Sequence, residues 1–222
     1  FLQKALVTSV MVGIICGVIG CFIILRGMSL MGDAISHAVL PGVAISYLLG
    51  INFFIGAVAT GLLTALGIGF VSQNSRIKND TAIGILFTSA FALGIILISF
   101  LRSSSDLYHI LFGNVLAVRP SDMWMTLAIG LLVLAAIFLF YKELLVTSFD
   151  PTMAAAYGLS TRLIHYLLMT MLTLVTVASL QTVGIILVVA MLITPAATAY
   201  LLTNRLSRMI FLSAGLGTIS SV

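Results

Sequence analysis

The chain has 222 residues, of which 61% are hydrophobic and 7% charged, and its mean hydropathy is +1.27. Soluble domains carry roughly a quarter charged residues, so this composition excludes one and points to a polytopic membrane protein. The 10 Lys and Arg against 6 Asp and Glu give a net charge of +4 without forming a basic run, which leaves no nucleic-acid footprint.

About 20 apolar residues cross a bilayer as a helix. The uncharged stretches predict spans near residues 5–25, 34–49, 52–72, 81–101, 123–141, 163–179 and 183–203, with an eighth beginning near 209. The expected fold is an all-α polytopic bundle of about eight membrane-spanning helices, forming one transmembrane domain over residues 1–222. The chain opens at Phe1 without a Met and stops at Val222 inside an apolar stretch, which predicts a portion of a longer protein, incomplete at its C-terminus.

In the first span, Cys16 and Cys21 point some 140° apart on a helix, too far for a disulfide, and read as small packing residues. Gly13 and Gly17 form a GxxxG pair that predicts close helix packing. Arg26 lies in the first connection, Arg76 and Lys78 in the third, Lys142 and Arg162 around the fifth, and Arg205 and Arg208 in the seventh. The second and sixth connections carry no basic residue, and the fourth offsets Arg102 and Arg119 with Asp106 and Asp122. The positive-inside rule therefore places odd-numbered connections in the cytoplasm and the N-terminus outside.

The stretch GDAISHAVLPG, from Gly32 to Gly42, sets Asp33 and His37 inside apolar surroundings. Intramembrane ionisable groups are costly and mark substrate paths, and residues four apart share one helix face. A carboxylate and an imidazole together suit Mn²⁺, Fe²⁺ or Zn²⁺, and no Cys or Met cluster accompanies them to favour Cu(I). The competing reading makes Asp33 the N-cap of the second helix and His37 a satisfied core histidine. Pro41 removes the hydrogen bond to the carbonyl of His37, which offers a third oxygen ligand in a broken helix of the kind transporters use at substrate sites. Pro195 in the seventh span is a second candidate break, with a packing kink as its simpler reading.

The fourth connection holds Asp106 and His109, three apart, which read either as a second metal-touching pair or, more simply, as part of a short interfacial helix. His165, with no acidic neighbour in sequence, reads as an interfacial residue. The fifth connection is better defined. Asp150 suits an N-cap, Pro151 the first helical position, Ala154 and Ala155 the helix body and Gly158 the position just past its end. This predicts a short cytoplasmic helix smooth enough to dock in a partner's groove. The chain has no GxxxxGK[ST] phosphate loop and no HExxH, so neither ATP hydrolysis by this chain nor a metalloprotease is expected.

On RGMSLMGDAISHAVLPGVA (26–44), LFGNVLAV (111–118) and VGIILVVAMLITPAATA (183–199), the chain resembles the permease subunit of the metal-importing ABC transporters of manganese, zinc and iron. The likeness covers essentially the whole chain and is strongest to the streptococcal-type manganese permeases. It implies that Asp33 and His37 coordinate metal in the translocation path and that residues 150–162 are the coupling helix. It further implies two copies of this subunit, two cytoplasmic ATPase subunits that bind the ATP, and an extracellular metal-binding lipoprotein, all at a bacterial plasma membrane. Mn²⁺, or Zn²⁺ or Fe²⁺, is then transported substrate, and no cofactor is permanently bound.

Two other classes compete on the residues alone. A proton-coupled secondary transporter would exchange protons for metal at Asp33 and His37 and sustain uptake in liposomes without an ATPase. A membrane enzyme using the metal catalytically would need a nucleophile or general base near the pair, and none is present in sequence.

Overall fold

The computed structural model describes residues 2–100 and 120–221. The first helix, α1 (Leu2–Leu25), is apolar all round, as a helix buried among others in a membrane must be. It stops where Gly27 takes φ +65°, a left-handed conformation that only glycine adopts without a Cβ penalty. There the Met28 N–H returns to the carbonyl of Ile23 at 3.0 Å and the Gly27 N–H to that of Ile24 at 3.0 Å, closing the last turn and fixing Arg26 at its edge.

The second span is two helices, α2 (Leu30–Ala38) and α3 (Leu40–Leu49), which meet at Val39. The span begins earlier than residue 34 because Asp33 lies inside it. Next come α4 (Phe53–Asn74), capped by Asn52, and α5 (Asn79–Phe100). They are followed by α6 (Pro120–Leu139), α7 (Tyr141–Phe149) and the six-residue α8 (Pro151–Ala156). The chain continues through α9 (Thr161–Val183), α10 (Ile185–Leu202) and α11 (Leu206–Ser221). Among the described residues, seven stretches are long and apolar enough to cross a membrane. The helix expected as an eighth span is α11, which starts at Leu206, three residues before the expected position. Asp106, His109 and the 111–118 motif lie outside the described residues.

The core is built around α1 and α9, where Ile19, Phe22, Leu168, Met169 and Leu172 are fully buried. The GxxxG pair does what its spacing predicts. Gly13 and Gly217 meet backbone to backbone across α1 and α11, and a Cβ on Gly17 would stand 2.7 Å from the Ser213 carbonyl oxygen. The Ser213 hydroxyl instead donates to the Gly17 carbonyl at 2.7 Å. Cys16 and Cys21 are both free and buried, in keeping with a packing role.

The helices place the odd-numbered connections at one end of the bundle. A single cavity there is lined from the first, third and fifth connections, and a second from the first, fifth and seventh. The basic residues of the odd-numbered connections thus collect at one end, as the alternation of spans requires. At the periphery, only 11% of the α5 stretch is buried, against 72% of α1.

Candidate functional site

The α2 helix begins with Ser29 at its N-cap position, and Asp33 falls in the first turn rather than at the cap. A cap therefore does not account for Asp33. Its carboxylate is favoured near the positive end of the helix, and one turn on stands His37. The imidazole Nε2 lies 3.4 Å from Asp33 Oδ1, with the side chains 23% and 42% exposed respectively. With metal bonds of about 2.1 Å, two ligand atoms stand roughly 3.0 Å apart at a right angle and roughly 3.4 Å apart at a tetrahedral one. One divalent ion can therefore bridge the pair with little or no backbone movement.

What holds the imidazole is aromatic packing from α5. Phe87 and Phe91 approach the His37 ring with centroids at 5.6 and 5.2 Å, Phe91 edge-on, and stack on each other at 5.9 Å. The other ring nitrogen, Nδ1, is buried with no hydrogen-bond partner. The ring is thus oriented by shape and not by a second polar contact. Phe87 and Phe91 are residues 9 and 13 of the 22-residue α5, so His37 sits level with the middle of that span. Neither Phe was singled out in the sequence, where nothing ties an apolar i, i+4 pair in one helix to an imidazole in another.

Directly above the pair is the helix break. Pro41 has no N–H to return to the His37 carbonyl, and the Val39 N–H closes on the Ile35 carbonyl at 3.2 Å. The hydroxyl of Thr60 on α4 reaches the Val39 carbonyl at 3.4 Å. Below the break, Leu192 of α10, three residues before Pro195, fills the space beside Gly32. Pro195 is buried within a continuous α10 and does not break it. Among the described residues, no group of three or more His, Cys, Asp or Glu side chains comes together. An ion held by this pair would need waters, backbone oxygens or a second copy to complete a shell that commonly holds six.

The loop helix forms as its sequence directs. Asp150 accepts from the Met153 N–H at 2.9 Å, with the Thr152 hydroxyl donating at 2.5 Å, and Pro151 opens α8. These bonds, led by the Thr152 hydroxyl, hold the Asp150 carboxyl below the ordinary carboxylate range. The helix ends where Gly158 takes φ +79°, with the Leu159 N–H returning to Ala154 at 3.1 Å and the Gly158 N–H to Ala155 at 3.0 Å. Ala154 is buried, whereas Ala155, Met153 and Tyr157 face outward.

Arg26 ties this region to the start of α2. Its Nε donates to Ser148 at 3.1 Å and its Nη2 to Thr147 at 2.7 Å, both at the end of α7 just ahead of α8. His165 lines the same cavity as Arg26, which Asp33 and His37 do not line.

The model of the ABC 3 transport family matches residues 1–222. The chain is 74% identical over its full length to the "Manganese transport system membrane protein MntC" of Listeria innocua, covering 79% of that protein. It is 62% identical over its full length to the "Manganese import system permease protein ScaB" of Streptococcus gordonii, covering 80% of it. Among solved structures, PsaBC from Streptococcus pneumoniae in complex with Fab superposes with a TM-score of 0.88 at 60% identity. That match covers 99% of this chain and 79% of the other.

Proposed function

Because this chain belongs to the ABC 3 transport family, we propose that it is the membrane permease of an ATP-driven importer whose cargo is Mn²⁺. The observation that carries the mechanism is the Asp33 and His37 pair, set 3.4 Å apart at mid-span beside a broken helix. The two groups hold the ion briefly, and a shell with only two fixed protein ligands per copy binds weakly enough to release it. Relatives named for manganese support that ion. The ligand chemistry alone favours Zn²⁺ over Mn²⁺ in the usual affinity order, so preference for Mn²⁺ rests on geometry and delivery.

The working assembly has two copies of this chain, two cytoplasmic ATPase subunits and an extracellular metal-binding lipoprotein, in the plasma membrane of a bacterium. The basic end of the bundle faces the cytoplasm. There α8 docks on the ATPase, with Asp150, Pro151, Ala154, Ala155 and Gly158 giving it shape. Movement of α8 reaches α2 through Arg26, whose guanidinium bonds the residues just before α8 and stands four residues ahead of α2. Closure of the ATPases on ATP then shifts which side of the membrane the pair faces.

The test is metal-dependent uptake in a strain lacking this chain and supplied with its variants. Asp33→Ala and His37→Ala abolish uptake while expression and association with the ATPase persist. Normal uptake by either variant removes that residue from the path. Uptake into liposomes by the chain without an ATPase would favour the proton-coupled alternative.

A further inference from the structure

The cavity at the basic end, about 550 Å³ in volume, is a site of a different kind from the metal pair. Its walls carry Arg26, Arg162 and His165 together with Gln73, Asn79 and Thr161, and no carboxylate. Asp80 and Asp150 are sequence neighbours of lining residues but do not line it, and Asp150 is engaged with α8 itself. Among the described residues, neither Arg26 nor Arg162 has a carboxylate within 4.0 Å. Two long helices also direct their positive ends here, since α5 starts at Asn79 and α9 at Thr161.

Arg26 is half-buried and Arg162 stands exposed at the rim; a half-buried positive charge without a counter-charge is unfavourable, because the protein replaces water without supplying an opposite sign. Burial pushes the Arg26 guanidinium down to about 10, which still leaves it charged at neutral pH. Hydroxyls of Ser148 and Thr147 fix its orientation and take only part of its donor set. Basic pockets between membrane helices at the cytoplasmic face suit anionic headgroups. The surroundings favour a lipid source over a soluble one: Leu25 forms part of the wall, and Leu163, next to Arg162, is 62% exposed and offers an apolar surface to an acyl chain.

We propose that this cavity binds a phosphate ester, the headgroup of an anionic phospholipid of the cytoplasmic leaflet, between the α8 region and the bundle. The bound phosphate neutralises Arg26 and Arg162 and steadies the Arg26 link from α7 to α2. This site is separate from Asp33 and His37, so it stands or falls apart from the metal reading.

The test uses the complete permease and ATPase complex in nanodiscs of phosphatidylcholine with or without phosphatidylglycerol, with bound lipid read by native mass spectrometry. Phosphatidylglycerol is retained selectively, and Arg162→Gln, whose exposed side chain leaves packing intact, lowers its retention at least several-fold. Arg26→Lys, which keeps the charge but loses the paired hydroxyl contacts, lowers it less. A parallel arm in phosphatidylcholine alone adds millimolar inorganic phosphate. Thermal stabilisation by phosphate that disappears in Arg162→Gln upholds the phosphate chemistry and assigns it to a soluble source. Equal retention of both lipids with no phosphate effect overturns the proposal. So does a cross-link showing an ATPase carboxylate seated against Arg162 in a complex that rejects both probes.

Discussion

Gly94 on α5 lies against Pro41 at the helix break: a β-carbon there would stand 3.1 Å from both the ring nitrogen and Cδ of Pro41, and 2.8 Å from Leu40 Cβ. The same face of α5 carries Phe87 and Phe91 onto His37, so one stripe at positions 87, 91 and 94 sets the break and the imidazole in register.

Gly94→Leu should separate α5 from the break. Overpacking a tight contact costs about 1–3 kcal/mol. A melting temperature in detergent lowered by several degrees, together with reduced uptake, is the expected result. An unchanged melting temperature would show that α5 is free to move away without cost.

Phe91→Ala should loosen the His37 ring while leaving Asp33 and His37 themselves in place. The metal concentration for half-maximal uptake should rise by roughly an order of magnitude, the scale on which slack positioning acts. Phe91→Leu, which refills most of the volume, should recover much of the loss. Equal behaviour of the two variants would mean that α5 does not orient the imidazole.

Gly158→Val should distort the end of α8, since a left-handed backbone costs a residue with a Cβ about 1–2 kcal/mol. The expected phenotype is ATP hydrolysis that no longer drives uptake, measured side by side in proteoliposomes. Full coupling would move the docking surface elsewhere.

Asp150→Ala should fray the start of α8 and weaken coupling at neutral pH. The folded-state carboxyl is depressed by its Thr152 and Met153 partners, so its stabilising contribution is present above the unfolded value of about 3.9 and fades as pH falls through the folded one. Wild type and variant should therefore differ in melting temperature in detergent at pH 7, and the difference should shrink as the pH is lowered through the folded-state value. Curves that stay parallel into acid would exclude the cap.

The sequence alone determined the features that depend on near neighbours along the chain. Span positions follow from the cost of leaving charge in lipid, the α8 helix from its cap, proline and glycine, and the Asp33 and His37 pairing from the helical repeat. Even here Asp33 misled the boundary of the second span, because a charge that marks a site inside a helix looks like a charge that ends one. Only the tertiary structure decided that His37 packs against Phe87 and Phe91 at the middle of α5, that Gly94 receives Pro41, and that Arg26, Arg162 and His165 share one cavity. Those relationships join residues tens of positions apart, and packing between helices, which no local periodicity encodes, selects which faces meet.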